Sequence, residues 1–215
     1  LLGDRARFVK AVSEQYPLPD GDWKAMVASS FEHVVNRLRE GEPVHWLGQS
    51  EPSESLEWRL WPILHEGQPT ILFGLGGGLK SALAGLFSIR VASGISAEPG
   101  NVLVLDYESN QEAFERRHRA IAKGLGIPLP TNIGHRYCSK PLADEVDELR
   151  KQIQDQRIAL VVVDSAMYAC NGEPEKADPS MAYFRALRAL RTTSLTIAHQ
   201  NNDEQTKRPF GSVVW

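Results

Sequence analysis

Thr70-Ile-Leu-Phe-Gly74-Leu-Gly-Gly-Gly-Leu-Lys80-Ser81 is the stretch that decides how the rest of the chain is read. An apolar run, Ile71-Leu72-Phe73, reads as a buried strand feeding a turn with glycines at 74, 76, 77 and 78, and Lys80-Ser81 opens a helix. Glycines let successive backbone N–H groups converge on one anion, and the helix start adds its partial positive charge. The pattern approaches G-x-x-x-x-G-K-[ST], in which the lysine reaches the β- and γ-phosphates of a nucleotide and the hydroxyl holds Mg2+. It departs at one position, where Leu79 replaces the last glycine. A side chain there must turn away from the nucleotide, and a left-handed backbone would cost about 1–2 kcal/mol. The candidate phosphate-binding residues are Gly74, Gly76, Gly77, Gly78, Leu79, Lys80, Ser81 and Ala82, with ATP and Mg2+ as the ligands.

With 215 residues, 42% of them hydrophobic, the chain is large enough for one sizeable core and a small appended element. A formal charge of −3 provides no global basic field, so a nucleic-acid contact has to come from a local patch or an assembled oligomer. Two cysteines, Cys138 and Cys170, are too few for a disulfide framework or a four-cysteine zinc site, and they read as packing residues in a reducing compartment. No apolar run approaches a membrane span and no signal-peptide pattern opens the chain, so the expected location is the cytoplasm. A start at Leu1 and a stop inside a strand-like run read as a piece of a longer chain.

The pattern divides into a helical N-terminal segment over 1–47, a linker packed on the core over 48–68, and an α/β core over 69–215. Helical spacing covers 4–15 and 22–40, where Trp23, Met26, Val27, Phe31, Val34, Val35 and Leu38 form a stripe expected to pack within the chain. Trp58 and Trp61 are expected to be buried against the core. Past the glycine turn, helices alternate with the apolar strands Asn101–Asp106, 132–138, Ile158–Asp164 and Leu195–His199. Ser109-x-x-Glu112 reads as a capping box for a helix closed by Gly124, and Asp178-Pro179 as an N-cap and first-turn pair. Such alternation predicts a mainly parallel sheet with helices on both faces.

In sheets of this kind ligands sit beyond the C-terminal strand ends, where the glycine turn, Asp106, Glu108, Asp164 and His199 all fall. Asp164, after Val161-Val162-Val163, suits a metal-supporting carboxylate. Glu108 is the candidate general base for an attacking water. Asp106 stays open between a site role and a turn-forming one. His199, followed by Gln200, either senses the γ-phosphate or is an ordinary hydrogen-bonded strand end.

Taken in order, the glycine turn with Lys80-Ser81, Leu-Asp106-Tyr107-Glu108, Val-Val-Val-Asp164-Ser165, Ile-Ala-His199-Gln200 and Pro209-Phe210-Gly211-Ser212-Val213 resemble the RecA-like P-loop ATPases, particularly the RepA-type hexameric helicase branch. The resemblance covers residues 60–215. It implies a homo-oligomeric ring or filament with ATP between neighbours and single-stranded DNA on two loops, which would match residues 167–179 and 200–211. Their cations are Lys176, Lys207 and Arg208, and Lys207 or Arg208 is either a trans-acting finger or a solvated loop charge. The first sixty residues read as an oligomerisation adapter or the end of a preceding domain, as in multidomain phage or plasmid replication proteins. The resulting expectation is an ATP-hydrolysing motor acting on DNA in replication or recombination. Two alternatives stand beside it: a nucleotide-binding regulatory or structural subunit whose hydrolysis Leu79 impairs, and an ATPase acting on protein or a small molecule.

Overall fold

The structure, a computed structural model, describes every residue except 1, 18–21, 41–43, 45, 47, 49–56, 78, 96, 171, 173–175 and 201–215. It falls into two compact units, Leu1–Glu54 and Ser55–Trp215.

The first unit is built on two helices, α1 (Leu2–Gln15) and α2 (Trp23–Glu40). Asp22 starts α2, its carboxylate accepting the Lys24 amide at 2.8 Å, the usual way an orphan N–H is satisfied at a helix start. The Trp23 indole N–H donates to the Tyr16 carbonyl at 2.7 Å and ties the two helices together. Met26, Phe31 and Val34, expected to pack within the chain, stand exposed.

The second unit is organised by a five-stranded sheet of β3 (Pro69–Gly74), β4 (Asn101–Asp106), β5 (Ile133–Tyr137), β6 (Ile158–Asp164) and β7 (Thr193–His199), in the order β3-β7-β6-β4-β5. Every pairing is parallel. Parallel strands need crossovers, which are made by α3 (Lys80–Ser93), α4 (Gln111–Leu125), a 3-10 turn (Leu142–Asp144) with α5 (Val146–Asp155), and α6 (Ala166–Ala169) with α7 (Ala177–Ala189). The central strands are buried on both faces because their side chains alternate and both sides are covered. Leu103, Leu105, Val161 and Val163 face Leu142, Leu149, Ile153, Tyr183 and Leu187. On the opposite face Val102, Val104 and Val162 meet Ala84, Phe87, Val91 and Phe114.

That second face also receives a short antiparallel ladder, β1 (Trp58–Leu60) with β2 (Leu64–His65), whose Leu60 and Leu64 are fully buried. Trp61 differs from expectation, being 67% exposed in the connecting turn, while Trp58 stacks on His65 at 3.7 Å. Among the described residues β3 is at the edge of the sheet, and its Phe73 is exposed rather than buried. Gly85 lets α3 and α4 approach closely, since a β-carbon there would lie 2.9 Å from Ile121 Cδ1. Both cysteines are buried and unpaired, and burial pushes their thiols to about 11 for Cys138 and about 12 for Cys170. Neither is a thiolate at neutral pH.

Three cap expectations are corrected. Asn110, not Ser109, caps α4 and accepts the Ala113 amide at 2.9 Å, because the Ser109 hydroxyl is engaged by Asp106. The left-handed Gly126, not Gly124, closes that helix. Lys176 is the N-cap of α7, which places Asp178 and Pro179 inside its first turn. Among the described residues no helix is long and apolar enough to cross a membrane.

Candidate active site

The strand order sets where a ligand can go. The chain leaves β4 outward to β5 but leaves β6 inward to β7, so the crossovers part at the C-terminal ends of β4 and β6 and open a crevice there. Asp106 and Asp164 are register partners at its mouth.

The glycine turn borders the same crevice. Gly77 has φ 73°, and Leu79 has φ 56° and ψ 19°, the left-handed conformation that glycine adopts without penalty. Leu79 points outward, 73% exposed, so its side chain leaves the loop open. Lys80 is buried, with its ammonium donating to the Gly74 carbonyl at 3.0 Å and to the Leu75 carbonyl at 2.8 Å. An ammonium has three donors, so one remains for an oxygen in the crevice. Gly78 lies outside the described residues.

Ser81 lines the cleft beside the Asp164 carboxylate. Burial raises the Asp164 pKa above the usual carboxylate range, and the neighbouring Glu108 and Asp106 charges add to that rise; the Ser81 hydroxyl and Arg117 pull the other way. Arg117, from α4, places Nη1 3.9 Å from Asp164 Oδ2. Glu108 follows the end of β4 and accepts the Ser165 hydroxyl at Oε1, and His199 Nε2 lies 3.8 Å from the same oxygen. His199 itself stands beside Gly74 in the β3–β7 register, and the next amide, Gln200 N, donates to the Gly74 carbonyl at 2.9 Å.

Gly77, Leu79, Lys80, Ser81, Ala82, Glu108, Arg117, Asp164, Ile197 and His199 thus line one cleft of about 320 Å3. Among the described residues neither Phe, Tyr nor Trp lines it, so they offer charge and donors for phosphates but no stacking surface for a base. A larger cleft of about 460 Å3 lies between α4 and β5, floored by Phe114, His118, Ile133 and His135. It lacks the glycine turn and the lysine, and the reactive groups converge on the smaller one.

An oxygen-ligated divalent ion fits this donor set. Ser81 and Asp164 offer a hydroxyl and a carboxylate whose charged form burial penalises, and an adjacent cation reverses that penalty. Among the described residues no group of three or more His, Cys, Asp or Glu could hold a metal by itself. Mg2+ typically needs only one or two protein oxygens beside phosphate and water.

Asp106 and Lys176 do not face the cleft. The Asp106 carboxylate is turned back onto Ser109, the Glu108 amide and His135. Lys176 is exposed at the start of α7, and Lys207 and Arg208 lie outside the described residues. Arg117 is the cleft residue that reading the sequence missed. It follows Phe114 by three positions and adjoins His118, both buried on α4, so it sits at the margin of the inward stripe. A cation at that margin, nine residues past Glu108, was a legible signal.

The sequence model of a protein family described as an AAA domain matches residues 35–205. No curated protein matches the chain. The matched span takes in the glycine turn, every strand of the parallel sheet and all the cleft residues. The chain belongs to the AAA-domain family, the nucleotide-binding P-loop ATPases.

Proposed function

We propose that this chain is a RecA-like motor domain of the RepA-type helicase branch, hydrolysing ATP to act on DNA in replication or recombination as a ring or filament. The observation that carries the ATPase part is the convergence of Lys80, Ser81, Glu108, Arg117, Asp164 and His199 on one cleft at the sheet's switch point. The DNA part is supported by the order of motifs along the chain and by α6 (Ala166–Ala169), with which the first expected DNA loop begins and which follows directly on the C-terminal end of β6, the end that bears the cleft.

Loop amides and the remaining Lys80 donor bind the phosphates and fix their orientation. Ser81 and Asp164 would hold Mg2+, which would supply positive charge to offset that of the phosphates. Glu108 accepts a proton from the attacking water as its oxygen bonds to the γ-phosphorus and the bond to the bridging oxygen of ADP breaks. Ser165 orients Glu108 through Oε1, and Arg117 offsets the charge around Asp164. His199 reads the γ-phosphate and passes its presence to the chain beyond β7 through the Gln200 amide on Gly74.

Leu79 favours a second reading. Its strained backbone sits next to the lysine, which suits a subunit that binds nucleotide and turns it over slowly. Steady-state ATP hydrolysis with and without single-stranded DNA separates the readings. The motor reading expects turnover stimulated by DNA and weakened by salt. Binding without turnover favours the regulatory subunit, and turnover indifferent to any DNA sinks the helicase assignment.

A further inference from the structure

We infer that Asp106 and His135 form a positioning pair that holds Glu108 in place without touching substrate. The inference rests on the reading of Glu108 as the base.

Asp106 ends β4 and is 1% exposed. Its Oδ1 accepts the Ser109 amide at 2.7 Å and the Glu108 amide at 3.0 Å. Its Oδ2 accepts the Ser109 hydroxyl and, at 3.2 Å, His135 Nε2. A carboxylate offers about four acceptor positions, and all four are taken. Asp106 therefore has no lone pair to give to a metal ion or to a water, although it is a register partner of Asp164. What it does is close the turn over 107–109, and with it the direction in which Glu108 leaves the strand.

His135 makes that turn answer to the neighbouring strand. It sits on β5, opposite Val104 in the β4–β5 register, with its side chain largely buried and its ring 4.5 Å from that of Phe114. Because Nε2 donates to Asp106, the proton is fixed on that nitrogen. Helix α4 thus packs Phe114 against the histidine that supports Glu108, while its Arg117 faces Asp164. One helix and one edge strand hold the two ends of the cleft together.

The test uses the whole chain in single-turnover hydrolysis, protein in excess over Mg2+-ATP, with nucleotide affinity and thermal melts recorded for every variant. His135→Leu keeps bulk and loses the donor; it should slow the chemical step about tenfold or more, with nucleotide affinity changed less than twofold. His135→Gln keeps an amide donor at about the same reach and should restore most of the rate, which a packing role would not predict. Asp106→Asn puts an N–H where donors already point and should cost more than His135→Leu. If it does not fold, the two His135 variants carry the test. In a Glu108→Gln background His135→Leu should cost nothing further, because groups that act as a unit are not additive. Wild-type rates in His135→Leu alongside a crippled Glu108→Gln would overturn the pairing and leave the base assignment standing. Wild-type rates in Glu108→Gln itself would overturn both.

Discussion

Asp106 and Asp164 stand opposite each other at the ends of β4 and β6, and their surroundings push them in opposite directions. Burial works against both charges. At Asp106 the hydrogen bonds from Ser109, the Glu108 amide and His135 outweigh it and hold the carboxyl below the usual range. At Asp164 burial prevails, and the carboxyl sits above the usual range.

The same substitution should therefore have opposite effects on stability. Asp106 has a folded pKa below the unfolded value of about 3.9, so it stabilises the fold at neutral pH and that contribution is lost as pH falls through its folded value. Asp164 has a folded pKa above that value, so its ionised form is a cost at neutral pH that shrinks as pH falls toward about 3.9. Asp106→Asn is expected to destabilise the chain by about 1–3 kcal/mol. Asp164→Asn should raise the melting temperature in the absence of nucleotide and abolish Mg2+-dependent hydrolysis. A lowered melting temperature for Asp164→Asn would count against this balance.

Leu79→Gly relieves a left-handed backbone worth about 1–2 kcal/mol and gives up only an exposed side chain. Part of the gain is offset by the freedom glycine has in the unfolded chain. A rise of about 2–4 °C in melting temperature is expected, with faster turnover if Leu79 is the sole lesion in the loop. Leu79→Ala keeps the strain and should not melt higher. An unchanged rate in Leu79→Gly removes the strained loop as the cause of slow hydrolysis.

Arg117→Ala should lower the hydrolysis rate by about a hundredfold, with Arg117→Lys retaining part of it. Its Nη1 is 3.9 Å from Asp164, and among the described residues no other arginine lines the cleft. Rates within twofold of wild type in Arg117→Ala would make it a surface charge of no consequence.

His118 should govern part of the acid sensitivity. It is buried against α3, its Nδ1 2.8 Å from the Phe114 carbonyl and its Nε2 without a partner among the described residues. Burial chiefly, with Arg117 and His135 adding to it, holds its pKa below the ordinary histidine value. The unfolded chain then takes up a proton more readily than the folded one, so stability is full above about pH 6.5 and is lost as pH falls through the folded value. Urea unfolding between pH 7.5 and 5.5 should show a shallower acid-side loss in His118→Leu than in wild type; parallel curves would rule His118 out.

The parallel sheet was legible because its strands are continuous apolar runs ending in Asp106, Asp164 and His199, a pattern that only a sheet covered on both faces produces. The strain at Leu79 was legible because the motif names the slot. Asp106 was not, since its decisive partner, His135, comes from a strand twenty-nine residues later and the register between β4 and β5 brings them together. The α4 cap went wrong because Ser109 and Asn110 are both good caps, and Asp106, which the pattern alone does not weigh, engages the first. Trp61 and Phe73 read as buried because hydrophobicity does not reveal a turn or a sheet edge.

Equilibrium binding of ATP with Mg2+ to the chain and to Lys80→Ala tests the central claim most directly. The account predicts saturable binding that weakens at least about tenfold when the lysine is removed, the loss of a charge-assisted hydrogen bond. Equal affinity in the two proteins, or no binding by the wild-type chain at millimolar nucleotide, would contradict the assignment of the glycine turn as the phosphate site.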